Sequence, residues 1–286
     1  MVVIHVKFGQ EDEFLYETNC SVGCDELIKN LVLINNRRVQ LAYLSGALRD
    51  LARYGPIKPN DEQGIDEIKE KMENIIIEKS ENYTADPSGI RTGNGVGEQM
   101  TSVFEDVCTE AELYISKNQA KMRKALTIEG LDDKLANMRG AVTMAYPMGL
   151  PKFDPVYLAL ESIDGLAGTQ AEKALLDPTT AQLWCAGKEF NRATTVGQRL
   201  GQNEKTKVVA KLQKPGAGPP AREPVVSENE RKAMMAHYFK RQEELKALAE
   251  ANDDDYLASS WANPKALKSS LQGLSDSIVA PGIARR

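Results

Sequence analysis

The sequence predicts an α+β protein: a small N-terminal hairpin-plus-helix domain, a mainly α-helical region, and an extended C-terminal tail. Three observations carry that prediction. Residues 2–8, VVIHVKF, alternate apolar and polar positions as a half-buried strand does. From residue 98 onward the apolar positions recur with helical spacing. After the acidic run at 253–255 that spacing disappears.

The N-terminal strand pairs by prediction with residues 13–16, EFLY, across a tight polar turn at 9–12. A helix follows over residues 24–35, with Leu27, Leu31 and Ile34 on one stripe. Hairpin then helix is how ubiquitin-like folds begin, and also how other α+β domains begin. The further strands that a ubiquitin-like fold needs are not evident nearby. A second amphipathic helix spans residues 39–53, with Leu41, Leu44, Leu48 and Leu51 inward, and stops at Tyr54–Gly55–Pro56. Residues 1–57 are thus the N-terminal domain. Residues 58–97 read as a variable linker: a short charged helix from about 65 to 77, then a poorly structured, glycine-rich connector with little capacity for core.

Residues 98–250 form the mainly helical core. Met100, Val103, Val107, Ala111, Tyr114 and Met122 trace one face, and Leu131, Leu135, Met138 and Val142 trace a second helix ending at Tyr146–Pro147. The segment PMGLPKFDP has three prolines in nine positions and is a semi-rigid crossing, in which Tyr146, Pro147, Asp154 and Pro155 have structural roles. VYLALE beyond it is a short strand or a helical turn. Asp177–Pro178 is a helix-start signal, predicting a helix to about residue 191 with Trp184 in the core. Ser227 and Glu230 form a capping-box pattern opening a helix to about residue 249, with Met234, Tyr238, Leu245 and Leu248 partly lining a face. Residues 251–286 are the extended interaction tail.

Composition narrows the function. The 286 residues carry 36 Lys and Arg against 41 Asp and Glu, a net charge of −5, which argues against a dedicated nucleic-acid binder. No apolar run reaches the roughly 18–20 residues that span a bilayer. The opening MVVIHVKFGQ turns charged too early for a signal peptide, so no secretory leader is expected. Four cysteines are too few for a disulfide framework and fit free thiols in a reducing compartment.

No motif points to catalysis. Residues 92–99, TGNGVGEQ, lack the lysine and hydroxyl of a phosphate loop, and their glycines miss the dinucleotide spacing. Cys20 and Cys24 lie close, but Cys108 and Cys185 are remote, so a zinc site would need all four to converge. His5 and His237 have no nucleophile or zinc-protease pattern beside them. Asp132–Asp133 and Glu243–Glu244 are sequence neighbours and point apart on a helix, and the run at 253–255 lacks a calcium loop's glycine and glutamate. The expectation is a protein without catalytic, metal or cofactor sites.

The basic stretch from Arg199 to Lys214 holds Arg199, Lys205, Lys207, Lys211 and Lys214 against one acid, Glu204, with Val208, Val209 and Leu212 between them. It fits an acidic protein surface such as that of tubulin, or RNA, and equally a solvated helix face. Candidate protein-binding residues are therefore Lys205, Lys207 and Lys211, with Arg222, Tyr256 and Trp261 further on. Trp261 sits in DDDYLASSWANP, which is too poor in apolar residues to build its own core; it plugs a pocket on its own helical domain or on a partner.

A series of blocks gives the chain a resemblance: RGAV (139–142), YPMGLPKFDP (146–155), GTQA (168–171), AQLW (181–184), GQNEKTK (201–207), GAGPPAREP (216–224), RQEELK (241–246) and DDDYLASSWA (253–262). In this order they resemble the Kurly family (cilia- and flagella-associated protein two-nine-eight), over roughly residues 98–268. The resemblance implies a role in motile cilia and flagella, as a cytoplasmic factor needed for outer and inner dynein arms to reach the axoneme. It further implies links to ciliary motility, basal-body position and planar polarity through Dishevelled-type signalling, and no enzymatic activity. Expected partners are dynein-arm assembly factors or dynein chains, or axonemal neighbours near tubulin, with no nucleic acid and no membrane. Cytoplasm and cilium, including axoneme or basal body, are the expected locations. The alternative is a stably built-in axonemal protein whose helices and tail wrap its neighbours.

Overall fold

The computed structural model describes residues 1–8, 12–64, 82–220 and 228–250. Strand β1, Val2–Phe8, sends Val2, Ile4 and Val6 into the core and pairs antiparallel with β2, Asp12–Thr18, in a register from Val2 opposite Thr18 to Phe8 opposite Asp12. Helix α1 follows as one element, Cys24–Tyr54. Gly55, at φ 74°, ends it, and the Gly55 N–H returns to the Leu51 carbonyl.

The two helices expected over 24–35 and 39–53 are thus a single helix. The gap expected between them, residues 36–38, falls in the polar run NNRRVQ at 35–40, of which Asn35, Asn36, Arg38 and Gln40 are buried. Each donates to a carbonyl from a distant segment. Asn36 Nδ2 donates to Leu176 O at 2.8 Å while its Oδ1 accepts from Leu176 N at 3.0 Å. Gln40 Nε2 donates to Ala159 O at 2.6 Å, Asn35 Nδ2 to Ala174 O at 3.3 Å, and Arg38 Nη2 to Ile115 O at 3.2 Å. The Arg38 guanidinium also stacks over Phe14. Buried polar groups that find partners need no break in the helix.

Residues 82–97 are ordered by backbone pairing against the end of α1. Lys58 N–H donates to Ile90 O, Thr92 N–H to Pro56 O, Gly93 N–H to Tyr54 O and Val96 N–H to Ala52 O. The segment adds only half-buried Val96 to the apolar core, so its order comes from hydrogen bonds. The helix expected at 65–77 lies outside the described residues.

Helix α2, Glu98–Ile115, buries Phe104, Cys108 and Ala111, and the short α3, Lys117–Lys121, follows a break at Ser116. Met122, expected on the buried face, is exposed because that break ends the stripe. Helix α4, Ile128–Ala145, buries Leu131, Leu135, Met138, Ala141 and Val142 and stops before Pro147 as its sequence predicts. VYLALE belongs to α5, Pro155–Glu161.

The segment after Asp177 is not a helix. The Asp177 carboxylate accepts from the backbone and hydroxyl of Thr179, closing a turn, and β3, Gln182–Cys185, then pairs antiparallel with β4, Lys188–Glu189. Between them Ala186 and Gly187 both have positive φ, the requirement of a tight hairpin turn. The alternation of inward Leu183 and Cys185 with outward Gln182 and Trp184 is a strand's period of two. Helix α6, Val196–Leu200, has a full capping box of Thr195 and Gln198. The basic stretch becomes strand β5, Lys207–Gln213, rather than a helix face.

The sheet order is β2-β1-β5-β3-β4, with β1 and β5 parallel at its centre and the other pairs antiparallel. The N-terminal hairpin is therefore completed by strands from residues 182–213, and the helices between residues 55 and 181 leave and re-enter the sheet. Inner-face residues Ile4, Val6, Leu183, Ala210 and Leu212 share one core with α1, α2 and α4. Met1–Pro220 is one compact unit and Ala221–Arg286 a second. In the second, α7, Glu228–Glu250, leaves Met234, Tyr238 and Leu245 exposed, where the sequence had them partly lining a face, and Met235 and Phe239 are exposed beside them. Among the described residues no helix is long and apolar enough to cross a membrane.

Candidate functional site

Two surfaces concentrate the residues singled out in the sequence. The first is the proline crossing. Asp154 is fully buried, and its carboxylate accepts from Ile57 N–H at 3.0 Å and Val156 N–H at 2.8 Å. It thereby caps α5, with Pro155 in the first turn, and ties the crossing to the chain just after α1. Tyr146 ends α4, and burial pushes its phenol up to about 12. Pro147 is exposed beside Met148, which is 99% exposed, and Phe153 is half open.

The second surface is the sheet face that bears no α1. Strand alternation puts Lys207, Val209 and Lys211 of β5 on it, beside Val3, His5 and Lys7 of β1. Trp184 lies across from Lys211 on the other side, with Glu189 beyond it. Trp184 is thus half-buried on the open face rather than a core residue, and among the described residues its Nε1–H has no hydrogen-bond acceptor.

The fold sorts the five cations of the basic stretch. Arg199 Nη2 donates to the Cys185 and Lys188 carbonyls, holding the β3–β4 turn, and Lys214 Nζ donates to Lys173 O. Lys205, Lys207 and Lys211 are left at the surface, and among the described residues none of the three has an ion pair or hydrogen bond through its ammonium group. Arg222, Tyr256 and Trp261 lie outside the described residues. Sequence reasoning missed Val209 as a surface residue; the period-two pattern of KVVAKLQ was its signal.

Nothing among the described residues assembles reaction chemistry. No group of His, Cys, Asp and Glu there could hold a metal ion. His5 Nε2 meets Glu13 at 3.2 Å across the hairpin, and His237 stands exposed on α7. All four cysteines are free; burial pushes the Cys108 thiol up to about 11 and that of Cys185 upward as well, the opposite of an activated thiolate. A hollow of about 420 Å³ beside α1 is lined by Asn35, Arg38, Glu112 and Lys117. Its Glu112 carboxylate is bound by Arg49.

A family model described as cilia- and flagella-associated protein 298 matches residues 181–277. A Danio rerio protein of that name is 40% identical over 284 residues, covering 96% of this chain and 98% of its own. The Homo sapiens protein is 39% identical with the same coverage, and the Xenopus laevis protein 298-B is 36% identical over 276 residues, 96% of this chain and 98% of its own. The chain belongs to the cilia- and flagella-associated protein 298 family. No solved structure matches it. In this family member the matched stretch contains β3, β4, β5 and α7, and it includes all six residues put forward for protein binding.

Proposed function

We propose that this member of the cilia- and flagella-associated protein 298 family is a non-catalytic adaptor of motile cilia and flagella. It supports the cytoplasmic assembly or delivery of outer and inner dynein arms and so sustains ciliary beating. The observation that carries the reading is the end-to-end match, 96% of the chain, to proteins named for cilia and flagella. Its partners are dynein-arm assembly factors or dynein chains, met in the cytoplasm and at the ciliary base.

The fold reading that fits this role is a ubiquitin-like sheet. A hairpin, a helix and the order β2-β1-β5-β3-β4 around a parallel central pair support it. In that reading the helical region is an insertion between α1 and β3, which leaves the far face of the sheet open for partners. A second reading, a protein built stably into the axoneme, is favoured by α7, whose Met234, Tyr238 and Phe239 are exposed as a partner-binding helix would have them.

The test is removal of the protein from a ciliated cell, followed by axoneme cross-sections in the electron microscope. The adaptor reading predicts axonemes lacking outer and inner arms while dynein chains accumulate in the cell body, with rescue by the full chain. Intact arms in immotile or normal cilia would overturn it.

A further inference from the structure

We propose that the open sheet face around Val209, between Lys207 and Lys211 and bordered by Trp184, docks an acidic, extended segment of a partner protein. Three observations converge on it. Val209 is 55% exposed although β5 lies in the middle of a five-stranded sheet, so an apolar side chain stands uncovered at the centre of the face. The neighbouring apolar residues are less open: Val3 and Trp184 are half-buried, and Leu15 is buried, its carbonyl bonded to Leu126 N–H.

Lys207 and Lys211 flank Val209 on the same face, and among the described residues neither has a carboxylate within ion-pair distance. Alternate residues of a strand stand about 6.7 Å apart. The two ammonium groups therefore span the distance between acidic side chains four residues apart in an extended segment, with one intervening side chain over Val209.

Charge on the face is also ordered. Its acids lie on the flanking strands: Glu13, already met by His5, and Glu17 on β2, with Glu189 on β4. A negative segment is therefore attracted to the central strand and repelled from either side, which fixes where it lies. Lys214, the next cation along, is spent on the Lys173 carbonyl and contributes no docking charge. The proposal gives the adaptor reading a surface and rests on that reading for its biological sense, but its test needs only purified protein.

The experiment reads binding on the unaltered full chain and follows Trp184 emission in the same chain with Trp261→Phe, where Trp184 is the single tryptophan left of the two in the sequence. A deca-glutamate peptide, labelled for anisotropy, is titrated at low and at high salt while Trp184 emission is followed. Expected are saturable binding, an accompanying change in Trp184 emission, and affinity at least tenfold weaker at high salt. Lys207→Glu with Lys211→Glu should abolish binding, and the neutral pair Lys207→Gln with Lys211→Gln should weaken it, both without change in melting temperature. Lys240→Glu on α7, which changes net charge equally per site, should leave binding within twofold. Absence of binding, binding indifferent to the lysine pair, or equal loss in Lys240→Glu overturns the proposal. Tighter capture of a single-stranded RNA decamer than of the peptide overturns it in favour of nucleic acid. Loss of arms in the cell-based test with no peptide binding here would retain the adaptor and discard this face.

Discussion

Replacing Asn36 with alanine should loosen the molecule more than any single surface change. The Asn36 amide makes two bonds with one residue, donating to Leu176 O at 2.8 Å and accepting from Leu176 N at 3.0 Å. Leu176 is 4% exposed, so truncation strands both of its backbone groups away from water. Each stranded group costs about 1–3 kcal/mol, so the sum is about 2–6 kcal/mol, against a total stability of about 5–15 kcal/mol for a domain. Asn35→Ala is the matched control, removing one longer bond to Ala174 O and costing about 1 kcal/mol. Asn36→Asp keeps the acceptor but faces the Leu176 carbonyl with a carboxylate, so it should be no better than alanine. Urea unfolding reads the difference directly. With a slope of about 3 kcal/mol/M, Asn36→Ala should lower the midpoint by about 1 M, and Asn35→Ala by a third of that or less. A loss under about 1 kcal/mol for Asn36→Ala, or one equal to that of Asn35→Ala, would refute the view that this amide fastens α1 to the segment before β3.

Asp154→Ala should cost about 2–4 kcal/mol in the same assay, because Ile57 N–H and Val156 N–H both lose a buried acceptor; Asp154→Asn should fall between it and the native chain. Gly46 is exposed inside α1 with open space where a Cβ would stand, so Gly46→Ala should stabilise by about 0.5–1 kcal/mol. Gly165→Ala should destabilise instead, since its Cβ would drive into the Leu158 carbonyl, and melting temperatures of the two variants should move in opposite directions. Arg49 holds Glu105 and Glu112 on α2, and its guanidinium keeps both carboxyls below the ordinary 4.5. Depressed carboxyls stabilise above their unfolded value and lose that contribution as pH falls through the folded one. These groups are well exposed, so Arg49→Gln should cost only ~0.5 kcal/mol at pH 7. The gap should narrow in high salt and close as the solution is taken well below pH 4.5.

Local chemistry made much of the fold legible. The β1–β2 hairpin follows from alternation, α4 from its periodic leucines and the stop at Pro147, and the end of α1 from Gly55–Pro56. What could not be read depended on distant partners. The expected gap falls in NNRRVQ, whose four polar side chains cannot be buried by a helix alone; their carbonyl partners lie some 75 to 140 residues downstream. Strands β3 and β4 are four and two residues long, too short for a clear pattern. Asp177–Pro178 carries a helix-start signal, but the same Asp side chain closes a turn on Thr179, and Ala186–Gly187 then makes a hairpin where a helix was expected. The basic residues of the candidate site were visible, but Val209 between them was not: a segment read as a helix keeps Lys207 and Lys211 on one face, four residues apart, and turns Val209 to the other, whereas a strand aligns all three.

The most direct test of the adaptor role is fractionation of ciliated cells into cell-body cytoplasm, soluble ciliary matrix and salt-washed axonemes, with quantitative crosslinking mass spectrometry on each pool. The adaptor role predicts a dominant cytoplasmic pool crosslinked to dynein chains or assembly factors. A near-stoichiometric, salt-resistant axonemal pool, crosslinked through residues 199–262, would contradict it and identify a built-in structural part.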